Sequence, residues 1–208
     1  ATSQRRSRTS ESRLAYMKLH RLSSILHRWA TGRVALLATV IFVLFTSLVL
    51  PRQAAEAEIT SGGAGSPDTS FWYTPNDLYQ MAESYGLAGR QAYLKARWTF
   101  DLVWPVVYTI FLSLTISWVF QRAFASENYW QLANLIPVAG MLFDYLENSV
   151  TSLVMARYPA LTPGIAHLAP LFTLTKWVFV NGSFVLLLIG IVVALWRKST
   201  KTTRLTTT

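Results

Sequence analysis

Two stretches of the chain, Val34–Leu50 and Leu102–Phe120, run for 17 and 19 residues without a charged side chain. A helix of that composition has no polar face to offer water, and about 20 such residues span the hydrocarbon core of a bilayer. Two further stretches are apolar but interrupted: Tyr129–Ala156 contains Asp144 and Glu147, and Leu168–Trp196 contains Lys176. In hydrocarbon each backbone polar group must be paired within its own segment, which makes helices of all four. The expected fold is therefore all-α, a polytopic four-helix transmembrane bundle. Only 14% of residues are charged, against roughly 25% in soluble domains, and 13% are aromatic, which argues against disorder. With no cysteine, disulfide frameworks, thiolate metal sites and Cys nucleophiles are excluded.

The net charge of +9 is confined to the ends. Residues 1–33 hold eight Lys and Arg against Glu11 alone, and residues 197–208 hold Arg197, Lys198, Lys201 and Arg204. Between them lie seven basic and nine acidic residues. Such a distribution is a topology signal rather than a nucleic-acid-binding face, and no nucleic-acid motif accompanies it. Four spans put both termini on one side. Placing them in the cytoplasm gives 13 Lys and Arg inside against five outside (Arg52, Arg90, Lys95, Arg97 and Arg157). The same choice brings Trp29, Trp118, Trp130 and Trp196 to the inner interface, where indoles prefer to lie.

This divides the chain into a basic N-terminal segment (1–33), a first span (34–50) closed by Pro51, an outer connection (51–98), three spans (99–196) and a basic tail (197–208). The first span has a competing reading as a signal peptide cleaved in QAAEAE (Gln53–Glu58). A 33-residue basic region and a 17-residue apolar stretch both exceed what such a peptide needs, which favours a retained anchor. From Ser12 to Trp29, Leu14, Met17, Leu22, Ile25, Leu26 and Trp29 recur at helical spacing among basic residues. This predicts an amphipathic helix suited to anionic inner-leaflet lipids; the alternative is a solvated segment that only orients the protein. His20 and His27 are seven apart on it, too few ligands for a metal site.

In the outer connection, GGAGSP (Gly62–Pro67) reads as a flexible linker. Thr74-Pro75-Asn76-Asp77 reads as a helix start, and Leu78, Met81, Ala82 and Tyr85 form an apolar stripe that stops at Gly86. A second helix from about Leu87 completes a short extracytoplasmic hairpin and continues toward the second span.

Charges inside a bilayer face the bundle interior and are paired or functional. Glu147 lies ~14 Å and Lys176 ~12 Å from the outer end of their spans, at 1.5 Å of rise per residue. Matching depth predicts an ion pair. Asp144, Glu147, Asn148, Thr151 and Ser152 form one polar stripe; Thr173, Lys176 and Ser183, with Asn181 nearby, form a thinner one. Asp101, Trp104, Tyr108 and Thr115 share a face of the second span, with Arg157 and His167 bordering the zone. The candidate polar or ligand-binding cluster is thus Asp101, Tyr108, Asp144, Glu147, Asn148 and Lys176. Two carboxylates one turn apart beside one cation must share a proton or find another cation, such as Arg97 or a bound ion. No phosphate-binding loop, metal-ligand spacing or nucleophile elbow is present, so no cofactor is evident and no metal is expected. His167 alone is placed to ligate a haem or chlorophyll, a role less common than a helix cap.

The combination GRQAYLKARWTFDLVWPVVY (Gly89–Tyr108), FDYLEN (Phe143–Asn148), YPAL (Tyr158–Leu161) and FTLTKW (Phe172–Trp177) resembles a group of uncharacterised bacterial four-helix membrane proteins over about residues 72–195. The resemblance implies a bacterial cytoplasmic membrane and brings no activity with it. A looser similarity is to the four-helix sterol-isomerase and sigma-2-receptor superfamily, whose motif spacing differs, so no residue roles carry over. The leading functional expectation is non-enzymatic: an accessory or structural subunit of a membrane complex, or a binder of a small apolar ligand. Its rivals are an intramembrane lipid or isoprenoid isomerase using Asp144 and Glu147 for proton transfer, and an oligomeric proton- or ion-coupled carrier.

Overall fold

The computed structural model describes the backbone of residues 2–205 and the side chains of residues 13–200. Among these residues the structure is all-helical, without strands. In chain order the helices are α1 (Thr2–Trp29), α2 (Gly32–Leu44), α3 (Leu50–Ser61), α4 (Pro75–Ser84), α5 (Gly86–Arg97), α6 (Phe100–Ala123), α7 (Ile136–Arg157) and α8 (Pro163–Leu205). Three helical stretches are long and apolar enough to cross a membrane: Gly32–Ser61, Gly86–Ala123 and Pro163–Thr200. The expected third span, α7, is not among them. At 22 residues it has the length, but Asp144, Glu147, Asn148, Thr151 and Ser152 interrupt its apolar run. It packs on both α6 and α8, and α6 lies against α2, α7 and α8.

Several boundaries differ from those expected. The first span does not close at Pro51. A π-helical turn, Phe45–Val49, joins α2 to α3, and the Leu50 N–H bonds the Phe45 carbonyl five residues back. That widened turn makes room for the Pro51 ring, which an unbroken α-helical ladder would exclude, so the helix runs on to Ser61. Gly62, in the left-handed conformation at φ 62°, ends it. The helix expected from Tyr129 starts at Ile136. Residues Tyr129–Leu135 form a 3-10 segment capped by Asn128, and Pro137 then takes one of the first helical positions, where its missing N–H costs nothing. The last helix continues through the basic tail to Leu205.

The α4–α5 hairpin forms as its residues dictate. Thr74 accepts from the Asp77 N–H while the Asp77 carboxylate accepts from the Thr74 N–H, a complete capping box. Leu78, Ala82 and Tyr85 are buried, packed with Tyr73, Tyr93, Val154 and Met155. Between α5 and α6 the helix is interrupted at Trp98 and Thr99, so the hairpin meets the span at a break rather than running straight into it. Gly89 lies against the Thr60 carbonyl of α3 so closely that a Cβ there would collide with it.

At the opposite end, α1 docks by its polar side. Ser23 donates to the Gln131 carbonyl (3.0 Å), Asn134 donates to the Ser23 carbonyl (3.2 Å), and Gln121 donates to the His27 carbonyl (2.7 Å). The apolar residues Leu14, Met17, Leu22 and Trp29 are left exposed.

Candidate functional site

Lys176, on α8, is 3% exposed and stands among three carboxylates. It is ion-paired with Glu147 of α7 and with Asp68, and its Nζ lies 4.0 Å from Asp144 Oδ1. The pair expected from matching depth is therefore present, but it is not isolated. Asp68 comes from the linker, carried by a 3-10 turn (Pro67–Thr69) that the Ser66 side chain caps. The expected flexible linker is here a folded strap: Gly62, Gly63 and Gly65 adopt positive φ, and Tyr85 donates to the Gly65 carbonyl. With 28% of its side chain exposed, Asp68 is the member of the cluster that meets the exterior; Glu147, at 1%, is sealed.

Arg97, at the end of α5, supplies the second cation. Its Nη1 is 2.9 Å from Asp68 Oδ2 and 2.9 Å from Asp101 Oδ2, and it donates to Asn148 Oδ1 at 3.2 Å. Asn148 in turn donates to Asp144 Oδ1 (3.3 Å), and the Tyr108 hydroxyl donates to Asp144 Oδ2 (3.0 Å). The guanidinium also lies 4.6 Å from the centroid of the Tyr93 ring. One connected network thus joins the linker, α5, α6, α7 and α8, with four acids (Asp68, Asp101, Asp144, Glu147) against two bases. Burial pushes the Asp68 carboxyl up, but the Arg97 and Lys176 cations beside it prevail and hold it well below the usual carboxylate range. Burial raises Tyr73 as well, and its hydroxyl is paired with Thr173 Oγ1 at 2.9 Å.

All six residues of the expected cluster meet in this network. The flanking expectations fare differently. Thr115, Thr151 and Ser183 turn their hydroxyls to carbonyls of their own helices, four residues back in each case. Arg157 is exposed. His167 is exposed too, its Nδ1 against the Pro163 carbonyl at 2.6 Å, so it acts at a helix start and not at the cluster. His20 rests edge-on against Tyr16, whereas His27 contacts Gln131 and Gln121. Carboxylate oxygens of Asp68, Asp144 and Glu147 lie within 4.8 Å of one another, as metal ligands do, but the Lys176 ammonium is the cation that they share.

A cavity of about 140 Å³ adjoins the cluster. Asp68, Tyr108, Asp144, Lys176 and Asn181 bring polar groups to its lining, and Phe42, Trp104, Trp177, Val180 and Phe184 bring an apolar wall. Phe42 comes from α2 and stacks on Trp104 and Phe111 at ring separations of 5.8 and 4.2 Å. Sequence reasoning missed Asp68 and the wall residue Phe42. The signal for Asp68 was faint: one acid after Ser-Pro in a glycine-rich linker, in a chain whose buried acids outnumber their evident cations. No family model matches the chain, and no curated protein or solved structure matches it either.

Proposed function

We propose that the chain is an integral membrane protein whose α2, α6, α7 and α8 cross the bilayer as a four-helix bundle, with both termini cytoplasmic and the α4–α5 hairpin outside. We further propose that it binds a small amphiphile from the bilayer beside Lys176. The observation that carries this reading is the cavity. Its volume is close to the roughly 150 Å³ that admits a benzene ring in an apolar core, and its lining combines aromatic rings with charged side chains. A ring or branched unit fits the wall. With four acids against two bases in the network, a proton-donating or cationic group suits the charged side chains.

The test is native mass spectrometry of the gently extracted protein, compared with Val180→Trp, which fills the cavity, and with the exposed control Val192→Trp. Loss of a co-purifying small molecule in Val180→Trp alone supports the reading. Retention of that molecule in both variants overturns it, as does a wild-type protein that carries partner subunits and no small molecule; the latter result points to an accessory subunit.

A second reading, an intramembrane isomerase, draws on the Tyr108–Asp144 hydrogen bond at the cavity wall, since a hydroxyl and a carboxylate in contact can relay a proton. Incorporation of solvent deuterium into the bound molecule, lost in Asp144→Asn, would separate catalysis from binding.

A further inference from the structure

At the end of the molecule where α1 docks, α6 and α8 part around a groove of about 730 Å³, far from the acid cluster. At Gly190 the two helices touch, and a Cβ there would collide with the Phe120 ring and crowd Val119. Beyond that contact, Ile191, Ala194, Leu195 and Lys198 of α8 line the groove at spacings of three and four residues, one helical face. Its far side is α6, with Val119 giving an apolar surface and Arg122 a charged one. Arg122 is fixed there: its guanidinium lies 4.1 Å from the Trp118 ring centroid, and it donates to the Trp118 carbonyl at 2.6 Å. Arg197 joins Arg122 and Lys198, and among the described residues no acidic side chain lines the groove.

An apolar floor ending in three cations complements a molecule with an apolar chain and an anionic head. A free anion would leave the aliphatic floor unused, and a neutral lipid would offer nothing to the basic rim. We propose that this groove is a binding site for an anionic phospholipid, its phosphate held by Arg122, Arg197 and Lys198 and an acyl chain laid along Val119, Ile191 and Leu195. The site is distinct from the exposed apolar face of α1 and shares no residue with the cavity beside Lys176.

The experiment titrates the full-length, detergent-purified protein with phosphatidylglycerol, or with phosphatidylcholine of the same chains, and reads bound lipid by native mass spectrometry. Wild type retains phosphatidylglycerol in preference, and replacing Arg122, Arg197 and Lys198 together by Gln weakens that retention by roughly tenfold or more. Ala194→Trp, which keeps every charge but fills the groove, also lowers it. Leu195→Glu, at an exposed position, does the same should the tryptophan disturb folding in a thermal melt. An excess of glycerol 3-phosphate leaves the lipid bound. Equal retention of the two lipids by wild type overturns the proposal. So does displacement by glycerol 3-phosphate, which means a headgroup-only anion site. The same loss on changing Arg13, Arg21 and Arg28 of α1 to Gln also overturns it, because attraction would then be general to this end of the molecule.

Discussion

Lys176 is one ammonium group serving three carboxylates, and this determines what each substitution in the cluster does. Lys176→Met leaves Asp68, Asp144 and Glu147 facing one another with Arg97 as the cluster's remaining cation, and should cost about 3–5 kcal/mol, as expected when a buried pair loses one partner. Glu147→Gln instead removes one acid from an acid-rich network and should cost less, about 1–2 kcal/mol. Unfolding of the two variants in one detergent checks the order; a larger loss for Glu147→Gln would mean that the pair acts in isolation. Asp68 provides the pH dependence. Its folded pKa lies below the unfolded value of about 3.9, so the stability it contributes is complete above about pH 4 and is lost as pH falls through the folded value. The gap in melting temperature between wild type and Asp68→Asn should therefore hold steady from about pH 7 to about pH 5 and close below about pH 4. A gap that closes on the alkaline side would contradict the assignment.

The elements were legible in the sequence wherever local chemistry alone decides them. Thr74-Pro75-Asn76-Asp77 specifies its capping box without help from the rest of the fold, and the uncharged run Leu102–Phe120 is helical for want of any alternative in hydrocarbon. Pro51 misled because a π turn, which depends on how α2 and α3 join, relieves a clash that sequence rules treat as terminal. Linker residues 62–69 misled in the opposite direction. Their glycines permit many shapes, and the one adopted is selected by Arg97, Lys176 and Tyr85, all distant in sequence. Gly89 tests the packing of α3 against α5. Gly89→Ala drives a methyl group into the Thr60 carbonyl, so α3 and α5 must separate at a cost of about 1–3 kcal/mol. Gly164→Ala, with open space around the new methyl, should be neutral within about 0.5 kcal/mol. Thermal melts of both variants compare them directly, and equal behaviour would remove the α3–α5 contact as a constraint.

Across the whole molecule, Lys176 and its companions were legible as a group because charge in hydrocarbon must find charge, and matching helix depth placed Glu147 beside Lys176. The cavity was not legible, since Phe42, Trp104 and Phe184 read as ordinary apolar residues until three helices bring their rings together. The proposed topology can be checked cleanly because the chain has no cysteine. Single cysteines at the exposed positions Asn76 and Ala160 should react with an impermeant maleimide on intact cells, whereas those at Glu127 and Thr200 should react only after permeabilisation. The reverse pattern would invert the protein. The Asp68–Lys176 pair also has a consequence for assembly. The two residues are 108 positions apart, so the ribosome releases Asp68 long before the helix that carries its partner. Until α8 is in place, the strap has Arg97 as its ionic anchor and two buried acids on α7 lack their ammonium. Closure of the strap over Lys176 therefore marks completed folding, and a chain truncated before α8 should present residues 62–69 to protease as an open segment.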